Sequence, residues 1–92
     1  MELNKPVTMI WFDKDPKKTL AKMLSEGVTH YRAKYGQEPK SCLVNKFTYT
    51  LFAKEVGMPE DAPEIVLDGI TIRGKRDVLL HDFYISSIGV EP

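Results

Sequence analysis

The sequence predicts an α+β fold: a two-layer sandwich with element order β-α-β-α-β-β-β, a mixed sheet and two helices packed on one sheet face. Three observations predict it. Val7 to Phe12 is rich in β-branched and aromatic residues, as a strand requires. Apolar residues recur at spacings of three and four from Leu20 to Tyr35, as one face of a helix requires. After Pro63 the pattern changes to short apolar runs separated by turn residues, the mark of strands joined by hairpins. At 92 residues the chain can close one core and is too short for two, so residues 1–92 are expected to form one domain.

Each element has its own signal. Val7-Thr8-Met9-Ile10-Trp11-Phe12 is apolar at both parities, the pattern of a strand covered on both faces, so the first strand is expected near the sheet centre. Asp15-Pro16 reads as a helix start, with a capping carboxylate followed by a proline already at helical φ. Leu20, Met23, Leu24, Val28, Tyr31 and Tyr35 make the buried stripe of that helix. Gly36 suits the left-handed residue that ends it, and Pro39 prevents its resumption. Gly27, inside the stripe, costs about 1 kcal/mol relative to alanine by intrinsic propensity.

Ser41-Cys42-Leu43-Val44 is expected to be a buried strand returning parallel to the first through a crossover. Asn45 can cap a second helix carrying Phe47, Leu51, Phe52 and Val56 near helical spacing, interrupted by Thr48 and Thr50 and ended by Gly57 and Pro59. Met58 to Pro63 is a loop. Glu64 to Leu67 and Ile70 to Arg73 flank Asp68-Gly69, whose residues tolerate the positive φ angles of a type I′ hairpin turn. Gly74 to Asp77 reads as a second turn and Val78 to Ile88 as a last strand, completing a three-stranded meander.

Thirteen Lys and Arg balance thirteen Asp and Glu, which removes the long-range field that drives non-specific binding to nucleic acid or membranes. The charges are segregated, however. Five acids and no base lie between Glu55 and Asp68, and Arg73, Lys75 and Arg76 follow. The single Cys42 cannot form an internal disulfide, so a reducing, cytoplasmic setting is expected. No apolar run approaches the roughly 18 residues of a membrane span, so no membrane partner is expected.

Arg73, Lys75 and Arg76 around Gly74 are the candidate site for a nucleic acid or another anion, because cations beside a glycine can meet phosphate oxygens. Tyr49 and Tyr84 offer rings on which bases could stack. Cys42 is expected to be a buried strand thiol, since a nucleophilic role would need a base such as His30 or His81 within reach.

Asp13 and Asp15 follow a hydrophobic strand, where two carboxylates can hold Mg²⁺ and attack a phosphoryl group. In those two residues and that strand the chain resembles the first motif of haloacid-dehalogenase-type phosphotransferases, which implies a phosphohydrolase. Pro16 stands where the motif would continue, and capping accounts for Asp15. His81-Asp82 resembles the paired ligands of metal-dependent phosphohydrolases, a family of all-helical proteins. Here the pair falls in an expected strand, where neighbours point to opposite faces.

The sequence therefore assigns no catalytic residue, no metal ligand and no cofactor. The expected function is a non-catalytic interaction or accessory module that meets a protein partner or a second copy of itself as a homodimer. The alternative is a small nucleic-acid-binding accessory protein acting through residues 73–76, and a metal-assisted phosphohydrolase ranks below both.

Overall fold

The computed structural model describes residues 5–89. Its seven elements are β1 (Thr8–Phe12), α1 (Leu20–Tyr35), β2 (Ser41–Asn45), α2 (Lys46–Val56), β3 (Ile65–Leu67), β4 (Ile70–Lys75) and β5 (Asp82–Ser86). They form a mixed five-stranded sheet with two helices on one face, as expected from the sequence.

The strand order is β1-β5-β2-β4-β3. This corrects three expectations. β1 lies at an edge rather than near the centre; β5 separates it from β2; and β4 pairs parallel with β2 instead of joining β5 in a meander. The both-face apolarity of β1 has a different physical origin. Met9 and Trp11 face the helices, whereas Ile10 and Phe12 remain 58% and 59% exposed on the helix-free face. β2 is the central strand, and β5, between β1 and β2, buries Phe83 and Ile85 beneath the helices.

α1 begins at Leu20, four residues after Pro16, with Thr19 as its cap. Asp15 instead accepts from Lys17 N at 2.9 Å within a turn, so the carboxylate shapes the approach to the helix rather than its first residue. At the start of α1, Leu20 N and Ala21 N donate to the two oxygens of Glu55 on α2, at 2.8 and 2.9 Å. A carboxylate there answers both the orphan N–H groups and the positive end of the helix dipole. Gly36 and Gly57 end the two helices at φ 64° and 78°.

The buried stripe of α1 is the expected one, with Leu20 and Tyr35 packed at its margins. That of α2 is rotated. Thr48, Tyr49, Phe52 and Ala53 are buried, while Phe47 and Leu51 point outward. Thr48 can occupy the inner face because its hydroxyl donates to Leu80 O at 2.9 Å.

Asp68 and Gly69 adopt φ 52° and 78°, the paired positive angles expected of the β3–β4 turn. β4 runs on through Arg73, Gly74 and Lys75, so only Arg76 and Asp77 remain of the turn expected at 74–77. The last strand is confined to residues 82–86. Val78 to His81 form a loop held to α2 by Asn45 Nδ2, which donates to Val78 O at 2.7 Å, and by Thr48.

Candidate functional site

A groove of about 600 Å³ opens where the approach to α1, the outward face of α2 and the loop before β5 meet. Its size falls within the range of ligand pockets, roughly 300–1,000 Å³. Met23 and Phe83 reach it from the core, and Phe47, Leu51 and Leu80 form its apolar walls. These three side chains are 60%, 43% and 44% exposed. Their position follows from local chemistry. Asn45 Oδ1 accepts from Phe47 N at 2.8 Å and starts α2, while Asn45 Nδ2 and Thr48 fasten the loop that carries Leu80.

Charged groups surround the groove, and most already have partners. Asp13 Oδ1 accepts from Asp15 N at 3.0 Å, and Asp13 Oδ2 pairs with Lys18 Nζ at 3.0 Å. The Asp15 amide and then Lys18 hold the Asp13 carboxyl below its ordinary range, against a desolvation effect of opposite sign. Lys18 also meets Glu26 at 2.6 Å, and hydrogen bonds to Glu26 and Asp13 hold its ammonium above the usual lysine range. Glu55 caps α1, and Lys54 pairs with Glu60 at 3.4 Å.

The carboxylates singled out for Mg²⁺ are therefore occupied differently: Lys18 neutralises Asp13, and Asp15 closes a turn. His81 lies beside the groove with its ring edge-on to Phe12, and Asp82 begins β5. Among the described residues no three His, Cys, Asp or Glu side chains converge as metal ligands would.

The sequence-predicted anion residues lie elsewhere. Arg73 and Lys75 alternate with Gly74 along β4 and occupy the helix-free face, while Arg76 falls in the following turn. Arg73 is ion-paired: its Nη2 and Nε both donate to Glu64 Oε1, at 2.8 and 3.2 Å. The acidic and basic segments thus meet across the β3–β4 hairpin. Gly74 serves helix packing, for a Cβ built there would stand 2.8 Å from Tyr49 Cβ. Tyr49 is buried and donates to Ala62 O at 2.6 Å, which removes its ring from any base-stacking surface. Tyr84 stays half-buried on the helix-free face, in the cross-strand row Ile10–Tyr84–Leu43–Arg73.

Cys42 is fully buried on β2, and loss of hydration pushes its thiol up to about 12. The folded protein should therefore resist iodoacetamide at mildly alkaline pH. Alkylation is expected to be on the order of a thousandfold slower than for an exposed thiol, and urea should restore it. Rapid alkylation without unfolding, followed by mass spectrometry, would contradict this placement.

Sequence reasoning missed the groove because Phe47 and Leu51 fit the core stripe of a helix. The available signal was Thr48 and Tyr49, which carry their own hydrogen-bonding groups and take the inner positions. No protein-family model matches the chain, and neither a curated protein nor a solved structure matches it.

Proposed function

We propose that this domain is a non-catalytic interaction module that receives apolar side chains of a partner protein in the groove between α1, α2 and the loop before β5. The observation that carries this reading is the convergence of Phe47, Leu51 and Leu80, all substantially exposed, around one cavity. Large side chains left about half uncovered in one concave place gain roughly 1 kcal/mol each when a partner buries the remainder. A non-catalytic role is supported by the surrounding groups. Asp13 is neutralised by Lys18, Glu55 is committed to α1, and Cys42 is buried away from the groove.

The test compares capture of proteins from a lysate of the source cells by the native domain and by Leu51→Lys. Val66→Lys, on the exposed helix-free face, serves as control. A genuine partner should bind the native domain and the control equally and Leu51→Lys at least tenfold more weakly, the equivalent of about 1.4 kcal/mol. Equal capture by all three, or none by any, would count against the groove.

A second reading is favoured by Tyr84, Arg73 and Lys75, which share the helix-free face. A ring on β5 with cations on β4, one strand beyond β2, could support a single nucleic-acid strand, the bases stacking and the phosphates meeting Arg73 and Lys75. Adding single-stranded oligonucleotides while recording the amide NMR spectrum discriminates the two. Salt-sensitive shifts in β4 and β5 would favour nucleic acid, and an unchanged spectrum at low salt would remove that reading.

A further inference from the structure

We propose that a second copy of this chain pairs antiparallel along β1, with Ile10 of each copy opposite the other across a two-fold axis, joining two five-stranded sheets into one. The paired edge does not include Phe47, Leu51 or Leu80, the apolar walls of the groove, so either surface can fail without the other.

The hydrogen-bond pattern defines it. Ser87 N donates to Val7 O, and Asp13 N donates to His81 O, at 3.2 Å in both cases. These bonds lie at the two ends of the β1–β5 register and fix its parity: Met9 and Trp11 turn their backbone groups toward β5. Thr8, Ile10 and Phe12 therefore direct theirs away from the sheet. Along the opposite side of β5, Lys40 N donates to Ser86 O at 2.7 Å, in agreement with that parity. Three residues at alternate positions thus present both a donor and an acceptor on one straight edge.

Among the described residues this edge lacks the usual protection. Exposed edges are commonly blunted by charge, proline, a bulge or very short length. β1 has no charged residue or proline, and its register with β5 is unbroken from Thr8 to Phe12. The opposite edge, β3, is only three residues long and is flanked by Glu64 and Asp68.

The edge is also complementary to itself. Antiparallel pairing centred on Ile10 sets Thr8 opposite Phe12 in both directions, so all three outward-facing residues exchange two hydrogen bonds apiece with the second copy. The exposed Ile10 side chains become neighbours on the helix-free face, and each Phe12 lies beside a Thr8. Continued in the same register, the alignment brings Lys5 at one end of the strand toward Asp15 at the other, which are opposite in charge. A two-fold arrangement of this kind closes on itself, whereas a head-to-tail one would extend. That symmetry favours a second copy over an unrelated strand.

The test is mass by light scattering from micromolar to millimolar concentration, together with crosslinking. The native chain of 10.5 kDa should approach twice that mass as concentration rises. Ile10→Lys, which puts charge on the edge, should reduce the apparent mass twofold while the amide spectrum stays dispersed. Ile10→Cys should oxidise readily to a covalent dimer, since Cα atoms of a hydrogen-bonded pair lie about 5.5 Å apart, within disulfide reach. Cys42, being buried, does not compete. Leu51→Lys should leave the dimer intact. A native chain that stays monomeric throughout, a dimer unaffected by Ile10→Lys, or Ile10→Cys crosslinking no faster than Val66→Cys on the other edge would each overturn the proposal.

Discussion

Gly27→Ala is expected to destabilise the protein by about 2 kcal/mol, although alanine is the better helix former by about 1 kcal/mol. A Cβ at this position would stand 2.7 Å from Trp11 Cδ1, 2.9 Å from Trp11 Cγ and 2.7 Å from Ile85 Cδ1. The Ile85 methyl can turn aside at small cost. Trp11 has less freedom, because its indole packs at 5.1 Å, tilted by 33°, against His30, one turn farther along α1. The helix must therefore lift from the β1–β5 pair or the indole must leave its place, and overpacking of this kind costs about 1–3 kcal/mol. At the upper end it outweighs the propensity gain. Thermal unfolding should show a midpoint lower by roughly 10 °C, given about 4–8 °C per kcal/mol for a domain of this size. A higher midpoint would mean that propensity alone governs Gly27.

Gly74→Val is expected to cost about 3 kcal/mol, although valine is the better strand residue. Here the obstruction is closer to backbone. The added Cβ would meet Tyr49 Cβ at 2.8 Å, Tyr49 Cγ at 3.1 Å and Lys46 Cα at 3.3 Å. Tyr49 is anchored through its hydroxyl to Ala62 O, so α2 must move as a body. A urea titration should place the unfolding midpoint well below that of the native protein at unchanged slope. An unaltered midpoint would show that α2 has room to shift. For each helix, then, one glycine in the contact layer sets its distance from the sheet: Gly27 on α1 itself, and Gly74 on β4 beneath α2.

Much of the local structure was legible because short-range chemistry dictates it. The Leu20–Tyr35 stripe, the Gly36 and Gly57 helix ends, the Asn45 cap and the Asp68-Gly69 turn each depend on a few neighbouring residues. Strand order was not legible. β1 is apolar at both parities, yet the sequence cannot separate burial on two faces from exposure on one, and Ile10 and Phe12 are exposed. Gly74 resembled turn punctuation because the reason for it, Tyr49 on another element, is remote in the chain. The groove was hidden similarly. Phe47 and Leu51 have the spacing of core residues, and only the hydrogen bonds of Thr48 and Tyr49 turn the helix so that they face outward. Arg73 and Lys75 fall on one face of β4, but the pairing of Arg73 with the acidic segment through Glu64 depended on hairpin register.

The position of β5 also bears on how the fold is reached. Among the described residues β1 has no partner in the sheet other than β5, and β2 is joined to β4 and β3 without it. As the chain leaves a ribosome, the segment from β2 to β4 can assemble early, while β1 and α1 lack a template. The strand that unites them follows all the others. Closing the β1–β5 ladder spans most of the described chain, with Thr8 opposite Ser86, and contacts so distant in sequence slow folding. Until then the apolar face of α1 and the bare edge of β2 stay open to other chains, and this interval is when the protein is most prone to aggregate.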